Sequence, residues 1–217
     1  MSAPLEFWFD FISPFAYLAW HRIRDVAEAN ARELVLQPTL FAALLNHWGQ
    51  LGPAEIPPKR EFIFKQVLRR AHALGLRLEP PPRHPFNPLL GLRLAQLELP
   101  PQQRTALVDL LFRATWAGGP GIDDPEVVAG LLRDAGFDAA QLLAAATAPD
   151  NKRALVEAGE RAKELGVFGV PTMIADGELF WGDDSLDELD RFLRGEDPID
   201  RELLDRWRAL PVGASRI

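Results

Sequence analysis

The segment Leu5 to Phe11, LEFWFDF, is aromatic and nearly continuous in its apolar character. A run of this kind reads as a strand buried on both faces, because a strand with one wet face would alternate. Ser13-Pro14 follows at once. Serine is a preferred helix N-cap, and proline is favoured at the first helical position. Phe15, Leu18, Ala19, Ile23 and Val26 then recur at helical spacing. A buried strand thus runs straight into a helix, with Ser13 at the joint. Leu34 to Leu40 (LVLQPTL) reads as a second strand. Its Pro38 removes one ladder donor and suits an edge or a strand end.

The middle of the chain changes character. Between Phe41 and about Ala148 no strand is expected. Helices are expected over Glu61 to Leu74, over Gln102 to Trp116, from Asp124-Pro125 onward, and over Asp138 to Thr147. Two proline-rich breaks, Pro53 to Pro58 and Pro80 to Pro88, read as extended loops. Mixed structure returns afterwards. Asp150 is expected to cap a helix through Leu165 that Gly166 ends. Val170 to Ala175 reads as a short strand, Asp176-Gly177 as a hairpin turn, and Glu178 to Trp181 as the return strand. Asp183 and Asp184 introduce a last helix from about Ser185 to Arg194. The outer pieces, 1–40 and 149–217, read as one discontinuous α/β domain, and 41–148 as an all-helical insertion.

Several function classes drop out on composition. The chain has 217 residues, enough for a substantial core, and a formal net charge of −7, which does not favour a nucleic-acid partner. It has no cysteine, which excludes disulfides, thiolate metal sites and any protein-borne redox thiol. His21, His47, His72 and His84 show no metal-ligand spacing and read as surface or loop residues. No signal peptide and no transmembrane run are read, so a cytoplasmic, membrane-free protein is expected. Gly118-Gly119-Pro120-Gly121 lacks the preceding strand of a phosphate loop and reads as a turn.

Two sites carry chemistry. A helix N-terminus presents unpaired N–H groups and partial positive charge, so the Ser13 joint can hold an anion; the plainer reading makes Ser13 an N-cap only. Gly169-Val170-Pro171-Thr172 opens a strand on a proline that is either cis or an ordinary trans edge residue.

FDFISPFAY (9–17), and VFGVPT (167–172) followed by a DG hairpin and FWGDDSL, together resemble the DsbA-like thioredoxin superfamily. They are most similar to its cysteine-free branch, the 2-hydroxychromene-2-carboxylate isomerases and kappa-class glutathione transferases. The resemblance implies an α/β fold, a thioredoxin-like domain interrupted by an all-helical insertion. Ser13-Pro14-Phe15-Ala16-Tyr17 stands where the disulfide oxidoreductases of the superfamily carry C-P-x-C-Y. The resemblance further implies a cis Val170-Pro171 bond facing Ser13. Val170 would then offer its backbone N–H and C=O to the cysteinyl unit of reduced glutathione. The thiol missing from the chain would come from this cofactor.

Energetics make that workable. A free thiol has a pKa of about 8.5, and lowering it by about two requires roughly 2.7 kcal/mol in favour of the thiolate. A helix N-terminus supplies about 0.3–2 kcal/mol and a hydrogen bond to a charged group about 1.5–3 kcal/mol. Ser13 is therefore cast as the catalytic hydroxyl donor to the sulfur and not as a nucleophile, which would want a nearby base.

Other positions follow from the same resemblance. Gly49-Gln50 and Pro57-Pro58-Lys59 stand where the family carries Gly-Asn and Pro-x-Lys at the border of the active site, so Gln50 and Lys59 are candidate glutathione contacts. Read alone, Lys59 is equally a solvated loop lysine. Asp184, with Asp183, would hold the γ-glutamyl amino group, although Ser185 replaces the usual arginine; both aspartates equally suit a helix start. Asn87 would line the substrate pocket or cap the next helix. Trp181 and Phe168 would wall that pocket or pack the core.

The activity this implies is glutathione-dependent conversion of 2-hydroxychromene-2-carboxylate to trans-o-hydroxybenzylidenepyruvate in aromatic hydrocarbon catabolism, by transient thiolate addition. A homodimer is implied as well. The rivals are a kappa-like glutathione transferase and a non-catalytic peptide-binding module on the same scaffold. A protein disulfide oxidoreductase is excluded by the missing cysteines.

Overall fold

The computed structural model describes residues 3–213. Strand β1 (Leu5–Phe9) leads through a short turn into α1 (Pro14–Ala29), which returns to β2 (Leu34–Pro38), paired parallel to β1. A parallel pair needs such a crossover, and the helix supplies it. A helical stretch follows: α2 (Phe41–Trp48), α3 (Pro57–Ala73), α4 (Leu89–Gln96), α5 (Pro101–Trp116), α6 (Pro125–Asp134), α7 (Ala139–Thr147) and α8 (Pro149–Glu164). The chain then forms the hairpin β3 (Thr172–Ala175) and β4 (Glu178–Trp181), α9 (Leu186–Leu193) and α10 (Arg201–Arg208). The sheet order is β2-β1-β3-β4, with β3 antiparallel to both β1 and β4. The strands come from the two ends of the chain, with the helical stretch between them.

The central position of β1 explains its composition. Leu5, Phe7 and Phe9 point to one face and join α1 and α5 in the larger core, where Phe7, Phe9, Phe11, Trp20 and Phe112 pack ring against ring. Trp8 points to the other face and packs with Leu44 of α2, Ala162 of α8, Val167 and Val170. Strand side chains alternate between faces, and here both faces are covered. Fully burying each large side chain contributes about 1.5–3 kcal/mol, so β1 anchors the turn that follows it.

Several boundaries differ from the sequence reading. The second strand ends at Pro38, and the third begins at Thr172, which leaves Val170-Pro171 in the loop before it. Helix α3 starts four residues earlier than expected, with Pro57 and Pro58 in its first turn, so Lys59 is helical and not a loop residue. Asp150 does not cap α8. Ala148 occupies that place, and Asp150 sits in the first turn paired with Arg153. Helices α2 and α10 were not expected, and α4 entered only through the cap reading of Asn87. Each is eight residues long, too short for a clear apolar period. A single bridge, Glu79 to Ala117, is the one strand-like pairing seen between β2 and β3 among the described residues. The Asp176-Gly177 turn forms as expected, with positive φ at both positions. No helix among the described residues is long and apolar enough to cross a membrane.

Candidate active site

The turn from Asp10 to Ser13 is built by short-range bonds. Asp10 is fully buried and accepts from Ile12 N at 3.0 Å and from Phe41 N at 2.9 Å. Its carbonyl accepts from Ser13 N at 3.1 Å. Burial raises the Asp10 carboxyl to about 7, and the two backbone donors only partly oppose this. The acid beneath Ser13 thus titrates near neutrality.

Ser13 then caps α1. Its Oγ accepts from Ala16 N at 3.2 Å and donates to Val170 O at 3.2 Å. The residues are 157 positions apart, and the contact joins the helix start to the loop before β3. Val170-Pro171 is cis. Two backbone donors beside this contact, Phe15 N–H and Val170 N–H, have no hydrogen-bond partner among the described residues. Helix N-termini leave such donors open, and they favour anions. A hydroxyl, two free N–H groups and a carbonyl therefore meet at one point, with no basic side chain bonded to Ser13.

The loop carrying Val170 is held from several sides. Trp48 of α2 donates Nε1–H to Val167 O at 2.9 Å, and Thr172 Oγ1 donates to Gly169 O at 2.8 Å. Gly182 N donates to Pro171 O at 2.9 Å, which ties the loop to the end of β4. Trp181 stacks edge to face on Phe168 and lies against Gly169, where an added Cβ would come within 2.5 Å of the indole nitrogen.

Beyond Gly182, Asp183 to Ser185 form one turn of 3-10 helix. Asp183 is buried, and Arg70 of α3 reaches it: Nε lies 2.8 Å from Asp183 Oδ2, and Nη1 lies 3.2 Å from Asp184 Oδ2. Among the described residues neither Asp183 oxygen has an aligned hydrogen-bond partner. Desolvation raises its carboxyl to about 6 against the pull of Arg70. Asp184 is exposed, so this corner offers one open carboxylate beside one partly open guanidinium.

A sequence model of the DSBA-like thioredoxin domain matches residues 4–194. The chain belongs to the DsbA-like thioredoxin family. Over 198 residues it is 31% identical to a 2-hydroxychromene-2-carboxylate isomerase of Sphingobium xenophagum, an alignment spanning 89% of this chain and 99% of that one. It is 25% identical over 207 residues to glutathione S-transferase kappa 1 of Homo sapiens, spanning 87% and 91% respectively. The solved structure of a 2-hydroxychromene-2-carboxylate isomerase matches the fold with a TM-score of 0.80 at 25% identity, covering 94% of this chain and 97% of that one. Within the DsbA-like family these relatives are isomerases and glutathione transferases, which places the chain among enzymes.

The remaining residues expected at a DsbA-like site are placed unevenly. Ser13, Val170 and Pro171 come together, and Asp183 and Asp184 share Arg70. Gln50 follows α2 and Lys59 lies in the first turn of α3; both are exposed, and neither side chain is bonded among the described residues. Asn87 is exposed and accepts from Leu89 N, the first residue of α4, at 3.1 Å, while Pro88 and not Asn87 holds the cap position. Phe168 is half-buried and Trp181 is exposed beside it. No group of metal-ligating side chains occurs among the described residues. The histidine expectation holds for the exposed His47 and His72 and for His84 in its loop, and needs correction at His21, which is half-buried on α1; among the described residues His21 and His84 each have a nitrogen lacking a partner. Arg70 was missed altogether. It lies in an ordinary-looking basic pair, Arg69-Arg70, and no local pattern marks which of the two turns inward.

Proposed function

We propose that this protein is a glutathione-dependent isomerase of the 2-hydroxychromene-2-carboxylate type. One observation carries the reading: the Ser13 hydroxyl meets the Val170 carbonyl at a helix start whose Phe15 N–H is free, in a chain without cysteine. Such a place suits a sulfur anion brought by a ligand. The fit of glutathione rests on complementary donors. Val170 has an open N–H and a carbonyl for an extended backbone. Asp184 is open to an ammonium group, and the remaining face of Arg70 to a carboxylate. Bound glutathione would supply a thiolate that adds reversibly to a conjugated carbon and so permits rotation about the former double bond.

The chain's own groups then have distinct tasks. Ser13 turns its O–H from Val170 O toward the sulfur, and the Val170 carbonyl accepts the ligand's N–H in its place. The exchange conserves hydrogen bonds, since one donor replaces another on the same carbonyl. The helix N-terminus and Phe15 N–H add partial positive charge. Phe168 and Trp181 present aromatic surface beside the loop for an aryl substrate. Lys59 attracts the substrate carboxylate, and Gln50 borders the same side. A cytoplasmic homodimer acting in aromatic hydrocarbon catabolism belongs to this reading.

Calorimetric titration with reduced glutathione, followed by turnover of the chromene acid, tests it. Binding followed by interconversion of the chromene acid with the benzylidenepyruvate is expected. Glutathione that binds but is joined permanently to an aryl halide, with no isomerisation, favours a kappa-like transferase. No binding of glutathione, with binding of unfolded peptides, overturns both in favour of a peptide-binding module.

A further inference from the structure

Two consecutive carbonyls of the turn before Ser13 are held by side chains of the helical insertion. Trp116, at the end of α5, donates Nε1–H to Phe11 O at 2.8 Å. His84, in the loop between α3 and α4, meets Ile12 O through Nε2 at 3.1 Å. A carbonyl only accepts, so Nε2 carries the proton, and Nδ1 is left as a lone pair. That Nδ1 is buried and has no partner among the described residues. Leaving a buried acceptor unpaired is unfavourable, so the ring orientation needs a reason elsewhere.

The packing shows how the ring is held. Phe64, Phe86 and Trp116 surround it, with centroids 5.8, 6.4 and 5.6 Å away. Arg60 of α3 donates Nη2–H to the His84 carbonyl at 3.1 Å. Desolvation lowers the His84 pKa, and the Arg60 charge adds to this against the opposing Ile12 bond, which favours the neutral ring. The peptide unit joining Ile12 to Ser13 is thereby pinned at both ends: its C=O by His84 and its N–H by Asp10 O. That unit sets the direction from which Ser13 leaves the turn.

We propose that His84 is a positioning residue for Ser13, a tether through which the helical insertion fixes the aim of the hydroxyl and of the helix N-terminus at the sulfur site. The inference rests on the glutathione reading and deepens it. Its Nδ1 is enclosed, so His84 acts through the backbone and not on the ligand.

His84→Phe keeps the aromatic bulk and removes the donor, whereas His84→Gln returns an N–H near the place of Nε2. In the ligand-free protein, amide exchange over Ile12 to Ala16 is expected to rise about tenfold in the Phe variant and to stay near the unaltered rate in the Gln variant. With glutathione bound, the thiolate fraction at neutral pH, read by ultraviolet absorbance, is expected to fall about tenfold in the Phe variant. It should recover in the Gln variant, with glutathione affinity little changed in both. Unaltered exchange and thiolate signal in the Phe variant, or equal losses in both variants, would overturn the proposal. Should the Phe variant not fold, His84→Asn, whose amide is too short for Ile12 O, replaces it with the same expectations. If glutathione does not bind the unaltered protein, the parent reading fails, and the exchange result alone decides the tether.

Discussion

Two buried aspartates lie under the two ends of the site, and they are balanced in different ways. Asp10, below Ser13, is held by backbone N–H groups of Ile12 and Phe41 and has no cation beside it among the described residues. Asp183, below the Asp184 corner, faces the Arg70 guanidinium. Burial raises both carboxyls, Asp10 to about 7 and Asp183 to about 6. The Ser13 end is thus built from backbone dipoles over one carboxyl that titrates near neutrality. The other end is built from charged side chains that arrive from separate elements. A thiolate suits the first surrounding, where fixed dipoles stabilise it without a mobile counter-ion. A zwitterionic head group suits the second, where discrete charges can pair with it.

The contrast breaks most visibly with pH. A carboxyl raised on folding stabilises the protein below its unfolded pKa of 3.8, and that contribution is lost as pH rises through the folded value of about 7. Asp10 should therefore make the protein less stable at pH 8 than at pH 4 by an amount on the order of several kcal/mol, before other groups are counted. Asp10→Asn should flatten that slope in urea titrations taken across the range. Asp183→Asn should flatten it less, since Arg70 already offsets part of the burial. Equal slopes in Asp10→Asn and the unaltered protein would remove the distinction.

Arg70→Ala strikes the charged end. It leaves buried Asp183 with only Arg22, which bonds its backbone carbonyl, and a loss of roughly 2–3 kcal/mol is expected, below the usual figure for a broken buried pair because Arg70 is partly solvated and Arg22 remains. Denaturant midpoints measure it, and a loss below that of a surface pair would contradict the geometry. Ser13→Ala strikes the backbone end. It should lower stability by only about 1 kcal/mol, the value of an N-cap. The thiol of bound glutathione should rise in pKa by roughly one to two, from the lost hydrogen bond to a charged group. An unchanged thiolate absorbance would take Ser13 out of the mechanism. The smallest effect belongs to Lys59→Ala. Stability should move by less than about 0.5 kcal/mol, with a higher KM for a carboxylate substrate and an unchanged affinity for glutathione. A lowered glutathione affinity would instead bear out the glutathione contact that the family resemblance implies for Lys59.

The same contrast accounts for what could be read from residues alone. The Ser13 end is marked by local signals: an unbroken apolar strand, a serine-proline start, a glycine before Val170-Pro171 and a hairpin turn two residues long. Each is decided within a few neighbours by sterics and backbone hydrogen bonding. The early start of α3 was hidden because prolines in a first turn look like the loop that precedes it. Helices α2 and α10 were hidden because two turns give too few apolar positions to show a period.

By itself the sequence determined the strand–helix joint, the absence of any protein thiol, and the helical stretch between the two pairs of strands, because caps, turns and periodicity act over short distances. Only the tertiary structure decided that Arg70 spans Asp183 and Asp184 and that His84 holds the Ile12 carbonyl. Those facts depend on how helices pack from distant parts of the chain. A side chain's direction across a gap of tens of residues is set by the packed core and by no pattern among its neighbours.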